Sequence, residues 1–325
     1  MHILVAGGAG YIGSVNVDQL VEAGHDLTVL DNLVAGHKGA LNPGAEFVQA
    51  DVRDEEQLNR LFASHNFHAV INYGGYIIAP ESVRQPGRYF ANNIGGAIAL
   101  LNAMVTYGVT RFVFSSSAAV YGEPETIPIP EDHPLRPINP YGETKAAVER
   151  MLPWYEKQFG LRAVSLRYFN AAGATERLGE DHRPETHLVP NVLQVALGQR
   201  DAISLFGRDY PTRDGTCVRD YVHVSDLAAA HLLALDKTET GSAVYNLGNG
   251  RGFTNREVID AARRVTGEPI PVSEEPRRPG DPAELVASQD KARADLGWQP
   301  QYPDIEEIID TAWRWHRDYP KGYAS

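Results

Sequence analysis

The chain has 325 residues, which exceeds one typical domain and can bury a sizeable core, so we expect two lobes. Its formal net charge of −12 argues against a surface for nucleic acid or an anionic membrane. The single cysteine, Cys217, excludes internal disulfides and thiolate-rich metal sites. We expect no other metal site, because His65 and His68 lack a convergent carboxylate or cysteine spacing. The sequence opens on a strand pattern without a charged leader and has no apolar run of about 18 residues, so we expect a cytoplasmic protein.

The first elements are typical of dinucleotide-binding proteins. A short buried strand over 3–6 leads into a glycine-rich turn, and a helix over 15–23 follows. Glycines allow the tight turn and let a pyrophosphate approach the helix N-terminus, where free amides favour negative charge. An isolated glycine pattern is often only a turn, so this interpretation also needs the strand and the acid that follow. The turn residues that we expect at the dinucleotide are Gly7, Gly10, Tyr11, Ile12 and Gly13.

The next strands end in residues suited to the adenosine half of a dinucleotide. The second strand ends in Asp31, whose carboxylate can accept hydrogen bonds from the ribose hydroxyls. Asn32 rather than arginine follows, which favours NAD over its 2′-phosphorylated relative. The third strand ends at Asp51 and Val52, where the adenine edge can be met.

A fourth strand, over 69–72, leads to Tyr73, Gly74 and Gly75, and glycines directly after a parallel strand again let a cofactor approach the backbone. Asn92 and Asn93 precede an amphipathic helix over 94–107. Two interpretations of this pair stay open: one asparagine caps the helix, or one side chain reaches the diphosphate of the cofactor.

The most informative stretch runs from 111 to 145. A buried strand ends in Ser115, Ser116 and Ser117, and a later helix carries Tyr141 and Lys145 four residues apart on one face. A free phenol titrates near pH 10, so only about one in a thousand is a base at neutral pH. A lysine ammonium one turn away and a bound oxidised nicotinamide would both lower that pKa. Tyr and Lys on one face are otherwise ordinary surface residues, but here they follow a serine-tipped strand in a chain with a dinucleotide turn.

The order of elements predicts an α/β fold: a doubly wound parallel sheet (Rossmann) whose ligand cleft lies at the carboxyl edge of the strands. We assign 1–170 to this NAD-binding domain, rejoined by about 222–248. A smaller C-terminal lobe over 171–325 is expected to bind the substrate. Arg219 and Arg278 are candidates for holding an anionic substrate there, since guanidinium forks bind diphosphate oxygens well, although each can equally be a surface arginine beside acids.

Several segments in combination resemble a known family. They are Gly-Gly-Ala-Gly-Tyr-Ile-Gly-Ser (7–14), Leu-Asp-Asn (30–32), Glu-Ser-Val (81–83), Asn-Asn (92–93), Ser-Ser-Ser-Ala-Ala-Val-Tyr-Gly (115–122), Pro-Tyr-Gly-Glu-Thr-Lys (140–145), Arg-Tyr-Phe-Asn-Ala-Ala-Gly-Ala (167–174), Val-Arg-Asp-Tyr-Val-His-Val (218–224) and Arg-Arg-Pro-Gly-Asp-Pro (277–282). Together they resemble the UDP-glucose 4-epimerases, which are extended short-chain dehydrogenase/reductases. The resemblance covers nearly the whole chain.

The resemblance implies a tightly held NAD, a UDP-sugar substrate, a homodimer, and inversion at C4 through a transient 4-keto sugar. It implies Tyr141 as the base with Lys145, Ser117 on the sugar O4, and Tyr168 near the nicotinamide. The cofactor set comprises Gly7, Gly10, Tyr11, Ile12, Gly13, Asp31, Asn32, Asp51, Val52, Tyr73, Gly74, Gly75, Asn92, Ser115, Tyr141, Lys145 and Tyr168. The substrate set comprises Ser117, Asn170, Leu188, Phe206, Arg219, Tyr221, Arg278, Asp281 and Leu285.

The chain departs from the family pattern around the expected cleft. The departures are Ala6 for threonine, Val15 for histidine, Asn72 for histidine, Gly74 for alanine, and Ile77 for a polar residue. Leu285 is smaller than the tyrosine of the family's sugar-pocket gate, so we expect some tolerance of N-acetylated sugars. Other UDP-sugar epimerases, acting on N-acetylhexosamines, pentoses or uronates, stay as alternatives. A sugar-nucleotide dehydratase or decarboxylase is disfavoured by Ala118 and Ala119, and a non-catalytic NAD sensor would have little need of the Tyr141 and Lys145 pair.

Overall fold

A computed structural model describes residues 1–278 and 280–323. Pro279, in the Arg-Arg-Pro-Gly-Asp-Pro segment, and the last two residues of the predicted second lobe lie outside the described residues. No helix within the described ranges is long and apolar enough to cross a membrane.

A seven-stranded sheet forms the centre of the larger lobe, and every pairing within it is parallel. The predicted doubly wound fold is therefore confirmed. The strands are β1 (His2–Ala6), β2 (Asp26–Asp31), β3 (Glu46–Gln49), β4 (Ala69–Asn72), β5 (Arg111–Ser117), β6 (Arg162–Tyr168) and β10 (Ala243–Leu247), and their spatial order is β10-β6-β5-β4-β1-β2-β3. The direction of winding reverses between β1 and β4, and a ligand cleft opens at the carboxyl ends of strands at such a reversal.

Helices cover both faces of this sheet. They are α1 (Tyr11–Glu22), α2 (Glu55–Ser64), α3 (Ala79–Arg84), α4 (Pro86–Tyr89), α5 (Gly95–Thr106), α6 (Pro140–Phe159), α8 (Val224–Lys237) and α10 (Asp290–Leu296). One core joins α2, α5 and α6 to the sheet through residues such as Leu58, Leu100 and Val148. The other joins α1 and α8 through Leu20 and Leu227. Because helices cover β1 and β4 on both faces, these strands are almost entirely buried, and their sequences are nearly continuous apolar runs.

The smaller lobe is built from short strands and three helices. The strands are β7 (Asn170–Ala172), β8 (Ile203–Phe206), β9 (Val218–His223), β11 (Gly252–Thr254), β12 (Val272–Glu275) and β13 (Glu284–Leu285), and the helices are α7 (Leu188–Ala196), α9 (Asn255–Thr266) and α11 (Ile305–Asp318). Strand β9 pairs with β7, β11 and β13, and β8 pairs with β12. Val192, Ile259 and Ile308 bring the three helices into one apolar core. The domain boundary at residue 170 stays a prediction.

Two local predictions differ from the structure. Helix α1 begins at Tyr11, four residues before the predicted start, so part of the glycine-rich segment is already helical. The segment Phe90–Ile94 forms a π-helical turn that continues into α5, and no side-chain cap precedes α5. The capping interpretation of the asparagine pair is therefore wrong. Asn93 instead pairs with both the N–H and the C=O of Tyr76, at 2.8 and 3.0 Å, and so ties this turn to the loop after β4.

Candidate active site

A cavity of about 550 Å³ opens at the carboxyl ends of the central strands. It brings together residues from the glycine turn, the ends of β2, β4 and β5, the start of α6 and the entry to the smaller lobe. The predicted residues that line it are Gly7, Gly10, Tyr11, Ile12, Gly13, Asp31, Asn32, Val52, Tyr73, Gly74, Gly75, Asn92, Ser115, Ser117, Tyr141, Tyr168, Asn170 and Leu285. Eight predicted residues do not line it: Asp51, Lys145, Leu188, Phe206, Arg219, Tyr221, Arg278 and Asp281.

The glycine turn is packed so tightly that side chains would block it. Gly7 has φ +78°, and a Cβ there would lie 2.6 Å from the backbone nitrogen of Gly74. A Cβ on Gly13 would lie 2.4 Å from the carbonyl oxygen of Gly7. The turn after β1 therefore lies against the turn after β4, and α1 starts directly beneath it. An α-helix leaves its first N–H groups unpaired, so this turn fits the diphosphate of a dinucleotide.

The Asp31 carboxylate at the end of β2 is held in place by the backbone. Its two oxygens accept hydrogen bonds from the N–H of Ala9 at 3.0 Å and of Leu33 at 2.8 Å. Burial raises the pKa of Asp31, and these two hydrogen bonds oppose the rise. The carboxylate lines the cavity with lone pairs left over, as a ribose-binding acid must.

Asp51, by contrast, forms an ion pair with the nearby Arg53. The guanidinium of Arg53 donates to both of its carboxylate oxygens, at 2.9 and 2.7 Å, and holds the pKa of Asp51 well below its usual range. The predicted adenine contact of Asp51 therefore has no direct geometric support, whereas its neighbour Val52 does line the cavity.

The N-terminal start of helix α6 fixes the position of Tyr141. The Asn139 side chain caps the helix by accepting from the N–H of Gly142 at 2.8 Å, and Pro140 occupies the first helical turn. A Cβ on Gly142 would lie 2.4 Å from the carbonyl oxygen of Ala119, so the helix start lies directly against the loop that follows β5. Ser82 accepts from the N–H of Tyr141 at 3.1 Å. The helix cap, the close approach of Gly142 to Ala119 and the hydrogen bond to Ser82 together fix the position of Tyr141.

The electrostatics of this site depart from one expectation. Burial raises the pKa of Tyr141, and the side chain of Ser117 opposes the rise. The lowering of the pKa of Tyr141 was predicted from Lys145 together with a bound oxidised nicotinamide, and the polypeptide alone does not show it. Burial also lowers the pKa of Lys145 to about 8, against the opposing carboxylate of Glu149. The Lys145 ammonium donates to the carbonyl oxygen of Ser115 at 2.6 Å, so it lies behind the cavity wall at the end of β5.

A buried ion pair supports this wall. Arg167 on β6 donates to both carboxylate oxygens of Glu149, at 3.0 and 2.6 Å, and both side chains are 5% exposed. Ser116 donates to the same carboxylate at 2.5 Å. Because Glu149 follows Lys145 by one helical turn, the pair fixes the helix face that carries Tyr141 and Lys145 against the serine-tipped strand.

The expected anion-binding residues form a second group in the smaller lobe. Arg219 on β9 pairs with Asp281 through a charge-assisted hydrogen bond. The guanidinium of Arg278 lies 3.9 Å from the ring centroid of Phe206. Tyr221 is 4% exposed and packs in the core of the smaller lobe. Leu188, at the start of α7, packs against that core.

Two of the residues that depart from the family pattern, Asn72 and Val15, are held by contacts within the fold. Asn72 closes the turn after β4, because its side-chain oxygen accepts from the N–H of Gly74 at 2.9 Å. Val15 is buried in a cluster with Trp315 and Tyr323. The Tyr73 hydroxyl, in contrast, is buried without a hydrogen-bond partner among the described residues.

Tyr168 meets a histidine that sequence analysis did not single out. Its hydroxyl lies 2.5 Å from Nε2 of His231 on α8, and Nδ1 of that ring lies 2.8 Å from the carbonyl oxygen of Leu227. Burial lowers the pKa of His231 to about 4 and raises that of Tyr168. The pair is thus neutral at neutral pH. The signal in the sequence, one histidine on an apolar helix, was too common to use.

A second group that sequence analysis missed consists of Glu180, His182, Glu185 and His187, of which all but Glu185 line the cavity. Burial disfavours charge on the two imidazoles, but the carboxylates outweigh it and raise the pKa of His182 to about 9 and that of His187 to about 10. All four residues of this cluster fall within eight positions, so their close spacing was visible in the sequence.

Comparisons with known proteins agree with this geometry. The family model described as "NAD dependent epimerase/dehydratase family" matches residues 3–248. A UDP-glucose 4-epimerase of Lacticaseibacillus casei is 52% identical over 328 residues, covering 100% of this chain and 99% of that protein. A crystal structure of a UDP-glucose 4-epimerase superposes with a TM-score of 0.97 at 50% identity, with complete coverage of both chains. The Bifidobacterium longum enzyme, solved in complex with NAD⁺ and UDP, gives a TM-score of 0.95 at 38% identity, covering 99% of this chain and 100% of that chain.

The family model spans most of the chain, and full-length relatives are about half identical to it. Both comparisons therefore indicate the same family. This chain belongs to the NAD-dependent epimerase/dehydratase family.

Proposed function

We propose that the protein is an NAD-dependent epimerase that inverts C4 of a UDP-hexose and so interconverts UDP-glucose and UDP-galactose. One observation carries the proposal: the phenol of Tyr141 and the hydroxyl of Ser117 line the same cavity as the dinucleotide turn and Asp31. Relatives at about half identity over the full length bear the name of this activity.

The glycine turn would hold NAD at its diphosphate and Asp31 would hold it at its adenosine ribose. The bound cofactor would supply a reversible hydride acceptor for C4 of the sugar. Because one turnover involves no net oxidation, the protein gains by keeping the cofactor in place. The packing of Gly7 against Gly74 and of Gly13 against Gly7 provides a rigid cradle for that purpose.

Tyr141 removes and returns the proton of the C4 hydroxyl. Ser117 lines the cavity at the end of β5, where its hydroxyl can bond the same substrate oxygen. The buried phenol is a poor base by itself, so positive charge must stabilise the phenolate during proton removal. Lys145 is a cation behind this wall, and its ammonium donates to the carbonyl oxygen of Ser115. Because burial lowers the pKa of Lys145 to about 8, its charge at neutral pH responds strongly to nearby charges.

Inversion also requires firm binding of the nucleotide and loose binding of the sugar. We assign the diphosphate to Arg219 and Arg278, whose guanidinium groups lie in the smaller lobe beside Asp281 and Phe206. The sugar then turns about the phosphate linkage between the two hydride transfers. Leu285, which lines the cavity, leaves room for that rotation.

The test is to incubate the purified chain with UDP-galactose, without added cofactor, and to follow the products by NMR. We expect UDP-glucose to appear, and Tyr141→Phe to slow this by about 10³-fold, within the range that general acid–base groups contribute. Tyr155→Phe is the matched control, since Tyr155 lies on the same helix and its hydroxyl donates to Asn102 at the surface. Equal rates for the wild-type chain and Tyr141→Phe would reject the proposed role of the phenol.

Other products would indicate the rival activities. Loss of the C6 oxygen would indicate a dehydratase, and release of carbon dioxide from a UDP-uronate would indicate a decarboxylase. Both need an added acid and base, whereas Ala118 and Ala119 occupy the cavity wall after Ser117. Absence of any product with NAD bound would indicate a sensor.

Two further expectations belong to this proposal: a cytoplasmic location and a homodimer formed through a helix pair. The second is supported by α6, which exposes 70% of Trp154 and 50% of Phe159. Large exposed apolar side chains on one helix favour burial against another chain. Trp154→Glu should convert a dimer to a monomer in light scattering, and a wild-type chain that is monomeric at micromolar concentration would remove this part.

A further inference from the structure

The loop between β7 and α7 carries four potential metal ligands at its end, in the pattern Glu180-x-His182-x-x-Glu185-x-His187. One donor atom from each lies within 4.8 Å of the donor atoms of the other three. The two carboxylates are almost fully buried, with side-chain exposures of 5% for Glu180 and 4% for Glu185. From this convergence we propose that these four residues form a binding site for one Zn²⁺-type transition-metal dication.

The spacing of the donor atoms fits a tetrahedral ion. Metal–ligand bonds of about 2.0–2.1 Å in a tetrahedron place neighbouring donors about 3.3 Å apart. Nδ1 of His187 lies 2.5 Å from Glu180 Oε1 and 3.4 Å from Glu185 Oε1. Nδ1 of His182 lies 3.0 Å from Glu180 Oε1 and 3.7 Å from Glu185 Oε2. Shifts of less than about 1 Å would bring all four donors onto one ion.

The donor chemistry selects the class of metal. Two imidazole nitrogens suit zinc and its neighbours in the first transition row, whereas Mg²⁺ and Ca²⁺ prefer oxygen ligands alone. Two carboxylates and two neutral imidazoles carry a charge of −2, which a dication neutralises. Four protein ligands also close the coordination shell, as in structural rather than catalytic zinc sites.

The ligands are held in place by their surroundings. Glu185 is oriented by the backbone, because its Oε1 accepts from the N–H of Thr186 and of His187 at 2.6 and 2.8 Å. The His182 ring lies edge-on to Tyr11, with 6.2 Å between centroids, and Tyr11 belongs to the first turn of α1.

The backbone of the loop is tied down as well. Nε2 of His37 lies 2.7 Å from the carbonyl oxygen of Asp181, and the Tyr323 hydroxyl bonds both the N–H and the C=O of Gly179. These contacts fix the path of the loop that carries the four ligands.

The site extends beyond the proposed epimerase chemistry and departs from the expectation of no metal site. Its test is metal content. The full chain is dialysed against a chelator, supplied with a small excess of Zn²⁺, desalted and analysed by mass spectrometry. We expect about one zinc per chain, and an affinity lower by about 100-fold or more in His182→Gln and in Glu185→Gln. His65→Gln is the matched control, since His65 also contacts a glutamate, Glu46 at 2.9 Å, and this variant should keep its zinc.

A measurement on the wild-type chain covers the case that the variants fail to fold. Co²⁺ supplied in place of Zn²⁺ should give the intense visible absorption of a four-coordinate ion and should be displaced by Zn²⁺. A wild-type chain that retains no metal, a six-coordinate Co²⁺ spectrum, or equal zinc in all folded variants would each overturn the proposal. The cluster would then be ion pairs between protonated histidines and glutamates.

Discussion

The two walls of the cavity are built by different means. The wall from the larger lobe consists of strand ends and helix starts that are adjacent in the chain, packed so closely that Gly7, Gly13 and Gly142 cannot carry a Cβ. The wall from the smaller lobe consists of side chains from segments far apart in the chain, such as His182 and Leu285, while Arg219 and Asp281 pair with each other outside the lining of the cavity. The tight packing of the first wall suits a fixed phenol at Tyr141, and the proposed function requires the smaller lobe to hold the nucleotide while the sugar turns. The following predictions test this contrast.

The largest effect is expected at the buried ion pair behind the first wall. Glu149→Ala leaves the Arg167 guanidinium buried without its carboxylate and should lower the free energy of unfolding by about 3–5 kcal/mol. Glu143→Ala, one turn from the start of the same helix, breaks an exposed pair with Arg150 and should cost less than about 1 kcal/mol. Urea unfolding of both variants measures the difference, and equal losses would contradict the rigid wall.

In the smaller lobe, replacing a proposed anion-binding arginine is expected to affect binding rather than stability. Arg219→Ala removes a charge-assisted hydrogen-bonding group and should raise KM for UDP-glucose by about 10- to 100-fold, with kcat changed much less. Arg208→Ala in the same lobe breaks an exposed pair with Glu274 and serves as the control. If kcat fell as far as KM rose, the smaller lobe would take part in positioning the reacting centre.

A buried histidine makes the smaller lobe sensitive to acid. His223 on β9 stacks on Tyr302 at 4.0 Å between centroids, and burial lowers its pKa from 6.5 to about 4. Because the folded-state pKa lies below the unfolded one, the stabilising contribution is present above pH 6.5 and is lost as the pH falls towards 4. Lowering the pH from 7 to 5 should therefore cost about 2 kcal/mol at this group.

The variant His223→Asn should show a pH dependence of unfolding smaller by that amount, whatever its stability at pH 7. Urea unfolding at both pH values is the measurement. An unchanged slope in the variant would mean that the pKa of His223 is the same in the folded and unfolded protein.

The smallest effect is expected at the sugar pocket. Leu285 lines the cavity, and Leu285→Tyr should lower the relative turnover of UDP-N-acetylglucosamine over UDP-glucose by about 10-fold, because the ring fills the space for the acetamido group. Turnover of UDP-glucose by the same variant is the internal control. A wild-type chain with no detectable activity on the N-acetylated sugar would remove this tolerance altogether.

Most of the first wall was predictable because its signals are local. The glycine turn, Asp31 at a strand end, and the pair Tyr141 and Lys145 on one helix face each depend on residues that are close in sequence. The roles that failed or lack support depend on partners that local patterns do not reveal. Asp51 is engaged by Arg53, and Asn93 binds the loop after β4 instead of capping a helix. The lowering of the pKa of Tyr141 was expected from Lys145 and a bound oxidised nicotinamide together, whereas in the polypeptide alone burial, which spacing does not report, raises it.

The sequence by itself determined the parallel α/β architecture, the glycine turn after β1 and the placement of Tyr141 and Lys145 on one helix face, since periodicity and turn chemistry act over a few residues. Only the tertiary structure decided which side chains share the cavity, which carboxylates are already paired, and that Glu180, His182, Glu185 and His187 converge on one point. Those outcomes depend on the packing of segments far apart in the chain or on the path of an irregular loop. Burial and neighbouring charge, and not residue type, then set the chemistry of each group.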